Sequence, residues 1–552
     1  MRPFFSLLFS TSLLFHSFYL FSQATIDSNT VTSAARIIDM HFTQAEKDSM
    51  LDGLRDNVKI YQQMHGHDLT NSQPWPFIFN PVPQGFAVPN QQDITHWAIP
   101  DNVKLPENKN DLAFYSILEL ASLIKNKKIS SVELTNFFLS RLRKWGDSLH
   151  CVISLTEDIA MNQAKKADEE LKKGAYRGPL HGIPYGLKDL FAVKGTHTTW
   201  GAAPYKDQTV DEDAFVYQQL RNAGAVLCAK LSLGALAMDD IWFGGLTRNP
   251  WNLKTGSSGS SAGSASATVA GLLPFAIGTE TWGSIVAPSH TCGATGLRPT
   301  FGSVSRTGAM VLSWSLDKIG PICRSAEDAA IVFYFIKGTD GKDLAALARG
   351  FNYTGKVNLK ELRIAYAVNY FDKQKADDPS RDAIQVFRSL GADPKPVVFP
   401  DSVLYPVHIM DPIISSECAA SFDAFTRSNL DDLMNGQRKN DWPNQFRTAR
   451  FIPAAEYINA NRHRYQLIQS MNTFMQQFDV IILPSFEGDQ MAMTNLTGHP
   501  VVCVPAGFTA DGMPTSISLL GNLFDEETIL AVAKAYQDAT EFNKKHPEMF
   551  KQ

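Results

Sequence analysis

Three residues, one lysine and two serines, have the types and surroundings of a hydrolytic site. Lys188 stands in His181-Gly-Ile-Pro-Tyr-Gly-Leu-Lys188-Asp189, Ser260 in the Gly/Ser-rich run 256–264, and Ser284 in Gly278-Thr-Glu-Thr-Trp-Gly-Ser284. A serine hydroxyl attacks a carbonyl poorly until a base removes its proton. Lysine becomes such a base when burial disfavours its ammonium form. The chemistry that fits is a serine nucleophile activated by a neutral amine, with no histidine in that role. Other readings of the same residues stay open at this point. Ser/Gly-rich stretches are most often flexible linkers, although apolar segments follow this one at once. A lysine beside an aspartate is usually a surface ion pair. Gly259-Ser-Ser261-Ala-Gly263 also fits the Gly-x-Ser-x-Gly nucleophile elbow, but that turn directly follows a strand, and residues 249–255 read as loop.

The wider pattern resembles the amidase signature family. Residues 256–284 parallel its Gly-Gly-Ser-Ser-Gly-Gly-Ser loop, its Ala-rich stretch and its Gly-Thr-Asp-Thr-Gly-Gly-Ser element. The likeness continues through Ile285, Ala287-Pro288, Cys292-Gly293, Gly296-Leu297 and Pro299. Upstream, Gly182 to Asp189 match Gly-Ile-Pro-x-x-x-Lys-Asp; downstream, Asn495, Gly498 and Pro500 match Asn-x-x-Gly-x-Pro, followed by Val504-Pro505-Ala-Gly507 and Gly512-Met-Pro514. The similarity spans about 111–539.

The resemblance implies roles for particular residues. Ser284 would be the nucleophile, Ser260 a proton relay preceded by a cis peptide bond, and Lys188 the base that later returns a proton to the leaving amine. Backbone amides of Thr281, Trp282 and Gly283 would form the oxyanion hole. The run offers five serines. Anchoring on Ala270-Gly271-Leu-Leu-Pro274 and Gly278-Thr279 selects Ser260, because 284 − 260 = 24 is the family spacing and Ser257 would need three extra residues. Ser261 and Ser264 are expected to add hydrogen bonds only. The resemblance also implies an α/β chain with the amidase signature fold: one large mixed twisted β-sheet flanked by helices on both faces. No cofactor and no metal are implied.

Three departures bear on the branch. Trp282 replaces the first glycine of Gly-Gly-Ser, with its indole expected along the wall of the acyl pocket. Val286 stands where an arginine is common, and Glu280 replaces an aspartate. Gly-Thr-Glu-Thr-x-Gly-Ser is similar to the peptide-amidase branch, so the departures argue against the glutamine-using component of a tRNA amidotransferase.

Composition excludes several classes. With 552 residues, 44% hydrophobic and 19% charged, the chain is globular rather than disordered. Its 51 basic and 56 acidic residues give a net charge of −5, no footprint for nucleic acid. Arg2 precedes a Phe/Leu-rich run from Phe4 to Phe21, and Ser22-Gln-Ala24 places small residues at −3 and −1. Residues 1–24 therefore read as a signal peptide cut near Ala24, implying an exported, periplasmic or secreted, protein. Four serines and a histidine interrupt that run, and no second run of spanning length follows, so no stable membrane span is expected. The six scattered cysteines, at 151, 228, 292, 323, 418 and 503, read mostly as buried thiols.

Other elements must hold the three residues together. Residues 25–110 form an extension: a capping box at Thr43/Glu46 opens a helix carrying Met50, Leu51, Leu54, Val58 and Met64, and a Pro- and aromatic-rich stretch, 74–106, is expected to wrap over a surface. His65-Gly-His67-Asp68 reads as a polar helix-end turn rather than a metal site. The amidase-like domain runs over 111–545, with capping boxes at Ser116/Glu119 and Ser130/Glu133 and a helix through Ala160, Ala164, Ala167 and Leu171, ending at Gly174. Strands are predicted at 225–229, 272–278, 362–366 and 480–483, and 341–472 as a variable cap forming one pocket wall.

The expected function is cleavage of linear carboxylic amides, small-molecule or peptide, through an acyl-enzyme. Fatty acyl, aryl and C-terminal peptide amides are alternatives within the class, as are esters. Trp282 and the aromatic-rich 75–97 favour an apolar or aromatic acyl group. Two other classes remain: an amidotransferase A-type subunit working in a complex, which the leader argues against, and a noncatalytic binder, which retention of all three catalytic groups argues against. Oligomeric state is not readable.

Overall fold

The computed structural model describes residues 26–73, 77–93, 95–400 and 407–552. The expected leader, 1–24, lies outside these residues. The chain divides into two units, one ending at Asp68 and one beginning at Leu69. Among its described residues the first holds two helices. Ser28–Ile37 is capped by Asp27 and buries Val31 and Ala35. Gln44–His65 opens with the predicted Thr43/Glu46 capping box, and none of its residues is buried.

The second unit is built on an eleven-stranded mixed sheet. In chain order its strands are β1 (Val152–Leu155), β2 (Pro184–Lys188), β3 (Val226–Leu231), β4 (Ala276–Glu280), β5 (Thr295–Arg298), β6 (Lys318–Cys323), β7 (Ile364–Ala367), β8 (Lys395–Val397), β9 (Val480–Pro484), β10 (Val501–Phe508) and β11 (Pro514–Gly521). Across the sheet they run β1-β3-β2-β4-β6-β5-β10-β11-β9-β7-β8. β2 lies parallel to β3 and β4, β7 lies parallel to β8 and β9, and the remaining pairs are antiparallel.

Both faces of the sheet are covered, and the sequence shows why. Side chains alternate across a strand, so a strand buried on both sides reads as a continuous apolar run. In β9, Val480 and Ile482 enter one apolar core while Ile481 and Leu483 enter another. In β10, Val502 and Val504 likewise separate from Val501 and Cys503. Helices supply the covering layers. The capping boxes at Ser116/Glu119 and Ser130/Glu133 open two of them, and Glu157–Lys172 stops just before Gly174. All six cysteines are buried and free. Among the described residues, no helix is long and apolar enough to cross a membrane.

Three segments differ from their sequence reading. The strand expected at 272–278 begins only at Ala276, because Leu272 and Leu273 lie in the turn after the helix Ala262–Val269. Residues 341–472 are not all cap: β7 and β8 extend the sheet edge, and the helices Met410–Ser421, Trp442–Ala449 and Ala454–Met475 follow. The stretch 77–106 has no regular element among its described residues. It is held by side chains instead: Trp97 stacks on Tyr353 and meets Tyr334 edge-on, and Gln92 bonds to Phe351.

The site hangs on the middle of the sheet. Leu187 of β2 pairs with both Lys230 of β3 and Ile277 of β4, so Lys188 and the end of β4 come side by side. Asp189, next in the chain, does not pair with Lys188. Its Oδ1 lies 2.5 Å from Lys230 Nζ, with both side chains fully buried, and its Oδ2 accepts from Thr199 N and Oγ1 at 2.8 and 2.5 Å. Breaking a buried ion pair leaves an uncompensated charge. Asp189→Asn should therefore destabilise the fold by about 3–5 kcal/mol, read as a lowered midpoint in urea.

Candidate active site

Lys188 is fully buried at the C-terminal end of β2. Its Nζ lies 2.8 Å from Ser260 Oγ, 3.1 Å from Ser261 Oγ and 2.9 Å from Thr279 Oγ1, and it donates to Thr279 O at 3.4 Å. All four partners are uncharged. Burial lowers the Lys188 pKa from its ordinary value to about 7, with Asp317 and Glu280 pulling the other way from farther off. The amine is thus poised to be neutral near pH 7. The surface ion-pair reading of Lys188 and Asp189 fails because the aspartate is taken by Lys230.

The Gly/Ser run is not a linker. A short ribbon, Arg248–Asn249 paired with Asn252–Gly256, leads into it. A strand therefore does precede the loop, contrary to the sequence reading, but it lies outside the main sheet. The Gly259–Ser260 peptide is cis. A Cβ on Gly259 would stand 1.8 Å from Asp239 O, so only glycine fits there. Ser261 does not have the exposed hydroxyl of a nucleophile elbow: it is buried, donates to Thr279 O at 3.0 Å and accepts from Thr279 N at 3.1 Å. Ser264 donates to Ile277 O at 3.0 Å. Ser260 is the serine of the run nearest the amine.

Ser284 joins this group through the backbone. Ser261 N donates to Ser284 O at 3.1 Å, tying the peptide after Ser260 to the residue of the second serine. Ser284 is half-buried. Thr281, Trp282 and Gly283 lie between the end of β4 and the helix Val286–Cys292. Their amides donate to no other described residue, as an oxyanion cradle requires. Gly283 has φ +91, and a Cβ there would meet Met491 Sδ at 3.2 Å. The Trp282 indole is 44% exposed and, like Ser284, is not among the residues lining the cavity beside the site.

Two carboxylates hold this turn, and the sequence reading missed both roles. Glu280 Oε2 accepts from the amides of Ile285 and Val286 at 2.9 and 3.0 Å, capping the helix that follows Ser284. Its Oε1 accepts from Arg298 at 2.7 Å and from Asn495 at 2.8 Å. Burial works against its charge, but Arg298 and then Lys318 outweigh it and hold the carboxyl down at about 2. Asp317 Oδ1 accepts from Thr281 Oγ1 at 2.5 Å, and its Oδ2 accepts from the amides of Leu312 and Ser313. Strand alternation was the available signal: Thr279 and Thr281 share the face toward Lys188 and the cavity, while Glu280 points the opposite way.

A cavity of about 490 Å³ lies beside this site: Thr279 and Thr281 line it, while Lys188, Ser260 and Ser284 are not among its lining residues. Ser72, Gln73, Phe77, Ile78 and Phe79 also line it, so the aromatic-rich extension shapes the mouth rather than covering a distant surface. Lys342, Asp343, Leu344 and Ala345 contribute from the start of the expected cap. Among the described residues, no cluster of three or more His, Cys, Asp or Glu is placed to hold a metal ion.

Comparison with known proteins adds kinship to this geometry. Residues 133–530 match the family described as Amidase. The A-type subunit of the glutamyl-tRNA(Gln) amidotransferase from Marinomonas sp. is 34% identical over 482 residues, covering 79% of this chain and 99% of that protein. Its counterpart from Coxiella burnetii is 33% identical with the same coverage. The crystal structure of native peptide amidase from Stenotrophomonas maltophilia superposes with a TM-score of 0.70 at 27% identity, covering 78% of this chain and 98% of that one. The departures at Trp282, Val286 and Glu280 point away from the amidotransferase component, yet these curated relatives carry that name at higher identity than the peptide amidase.

Proposed function

The chain belongs to the Amidase family, and from that premise we propose that it hydrolyses linear carboxylic amides with a serine nucleophile, a serine relay and a neutral lysine base. One observation carries the reading: the Lys188 amine is buried, has no carboxylate partner among the described residues and lies within hydrogen-bond reach of Ser260. In this mechanism Ser284 Oγ attacks the amide carbon. Its proton passes to Ser260 Oγ while the Ser260 proton moves to Lys188 Nζ. The amides of Thr281, Trp282 and Gly283 receive the developing oxyanion. Collapse of the tetrahedral species expels ammonia or an amine, which takes the proton back along the same row. Water then repeats the sequence on the acyl-enzyme and frees Ser284.

Kinship with the A-type subunits of amidotransferases supports a second reading. In it the chain performs the same hydrolysis on glutamine and passes the ammonia to a partner protein. The cavity beside the site is lined by apolar residues, Phe77, Ile78, Phe79 and Leu344, and by charged ones, Asp211, Glu212, Arg306, Lys318, Lys342 and Asp343, and so favours neither reading. The leader supports the first reading. We extend the proposal to export after cleavage near Ala24, on the strength of the run from Phe4 to Phe21 and the small residues before the cut.

A hydrolysis screen over apolar amides, esters and glutamine should show Ser284-dependent release of ammonia or amine from apolar amides by the isolated chain. Ser284→Ala should lose at least a thousandfold in kcat; retained turnover would remove Ser284 from the nucleophile's role. Preference for glutamine, or activity only with an added partner, would favour the amidotransferase reading. The pH profile should rise with pH through about 7, since Lys188 accepts a proton only when neutral. One pH unit below that midpoint the rate should be about tenfold below its plateau, and a flat profile from pH 5 to 9 would reject the base. N-terminal sequencing of protein from the producing cell should begin near Thr25, whereas an intact Met1 counts against export.

A further inference from the structure

An oxyanion turn cannot hold itself. Its amides must stay free to meet a developing charge, so the backbone bonds that usually fix a turn are the ones it gives up. Among the described residues, 281–283 make two hydrogen bonds. Gly283 O accepts from Ala287 N at 2.7 Å, and Thr281 Oγ1 donates to Asp317 Oδ1 at 2.5 Å. The first ties the turn to the helix Val286–Cys292 that follows it. The second alone crosses to another part of the chain.

Asp317 reaches Thr281 from the loop before β6, where the register that pairs Lys318 with Glu280 brings Asp317 opposite Thr281. Its Oδ2 accepts from the amides of Leu312 and Ser313 at 2.8 and 3.0 Å. The same loop is pinned from outside: Glu417 accepts from Ser313 Oγ and from Ser315 N and Oγ, and Arg464 donates to Ser315 Oγ and O. The loop is thus fixed independently of the turn, and the anchored end sets the position of the other. Asp317 also stands with Thr279 and Thr281 on the face toward Lys188. Its charge favours the ammonium form of that amine, against the burial that opposes it. Glu280, the other anion acting on Lys188, points the opposite way and is taken up by Arg298. Asp189 is taken by Lys230. Of the cations near Asp317, Arg306 is bonded to Asp343, and the Lys318 amine donates to Leu316 O. The three partners of the Asp317 carboxylate among the described residues are a hydroxyl and two amides, all uncharged.

We propose that Asp317 is a positioning residue with two separable effects: through the Thr281 hydroxyl it keeps the amides of the oxyanion turn in place, and through its charge it keeps the proton affinity of Lys188 from falling further. This rests on the amide-hydrolase reading. The two effects enter the kinetics differently. A turn whose tie is cut still carries its amides, but not where the oxyanion develops, so the loss falls on the transition state and on kcat rather than on substrate binding. Removal of the anion destabilises the ammonium form of Lys188, so the amine gives up its proton at lower pH and the acid limb of the profile moves down. A carboxylate that only held the loop would leave that limb where it is.

The test is the pH dependence of kcat and KM in the full chain, read by ammonia release from the best cleaved of acetamide, hexanamide and benzamide, with a urea midpoint for each variant. Thr281→Val keeps the charge and cuts the tie. Its kcat on the alkaline plateau should fall about tenfold or more with KM little changed, while the limb stays near pH 7. Thr281→Ser restores the hydroxyl and should recover most of that loss. Asp317→Asn keeps the shape and removes the charge. Its ratio of kcat/KM at about pH 6 to that at about pH 9 should rise about threefold. Asp317→Ala is read in the same way if the asparagine variant does not fold. A ratio unmoved by loss of the charge, or full kcat in Thr281→Val, would overturn the proposal and leave the amide-hydrolase reading standing. Absence of Ser284-dependent turnover of every amide by the unaltered chain would overturn that reading and the proposal with it.

Discussion

An amine removed from water without a counter-charge is the constraint around which this structure is arranged. A buried lysine is costly when protonated, and most proteins answer that cost with a carboxylate. Here the nearest aspartate along the chain, Asp189, is committed to Lys230. Lys188 is surrounded by three hydroxyls and a carbonyl instead. The same strand end thus carries one lysine-facing environment that is polar but uncharged and one aspartate-facing environment that is fully paired. Exchange of the two would leave an ammonium salt-bridged in the core and no base.

The remaining charges near the site hold backbone. Glu280 could oppose the neutral state of Lys188, since a nearby anion favours the ammonium. Its charge is absorbed by Arg298 and Asn495 and by the amides of Ile285 and Val286. The carboxylate therefore works as a helix cap, fixing the turn that carries Thr281 to Ser284. Asp317 performs a parallel task from β6's approach, joining the Thr281 hydroxyl to the loop at Leu312 and Ser313. That loop meets the helical region beyond the sheet through Glu417, which accepts from both Ser313 and Ser315. One chain of contacts runs from the turn at Thr281 to the outer helices, so the cavity wall and the turn before Ser284 are placed by the same polar framework.

The family relationship sets the chemistry more firmly than the substrate. The chain spans 99% of the length of its A-type amidotransferase relatives and shares its fold with a peptide amidase, so kinship alone points two ways. Ser72, Gln73, Phe77, Ile78 and Phe79 line the cavity beside the site from a part of the sequence upstream of the family match.

How much was legible in the sequence differs by level. The α/β class, the strands at β3, β7 and β9 and the capping boxes at Thr43, Ser116 and Ser130 follow from local pattern, because periodicity and caps are properties of neighbouring residues, whereas the choice of Ser260 among five serines came from the resemblance to the family and its spacing. The place of Ser261, the capture of Asp189 by Lys230 and the tie between Asp317 and Thr281 were not legible, because each depends on which strands lie side by side, and register brings together residues up to tens of positions apart. The Trp282 indole was assigned to a pocket wall on residue type alone, and it is 44% exposed. Sequence determined which groups could react. Only the tertiary structure decided which of them would be left without a counter-charge among the described residues, since a charge is neutralised or stranded by what packs against it and not by what precedes it in the chain.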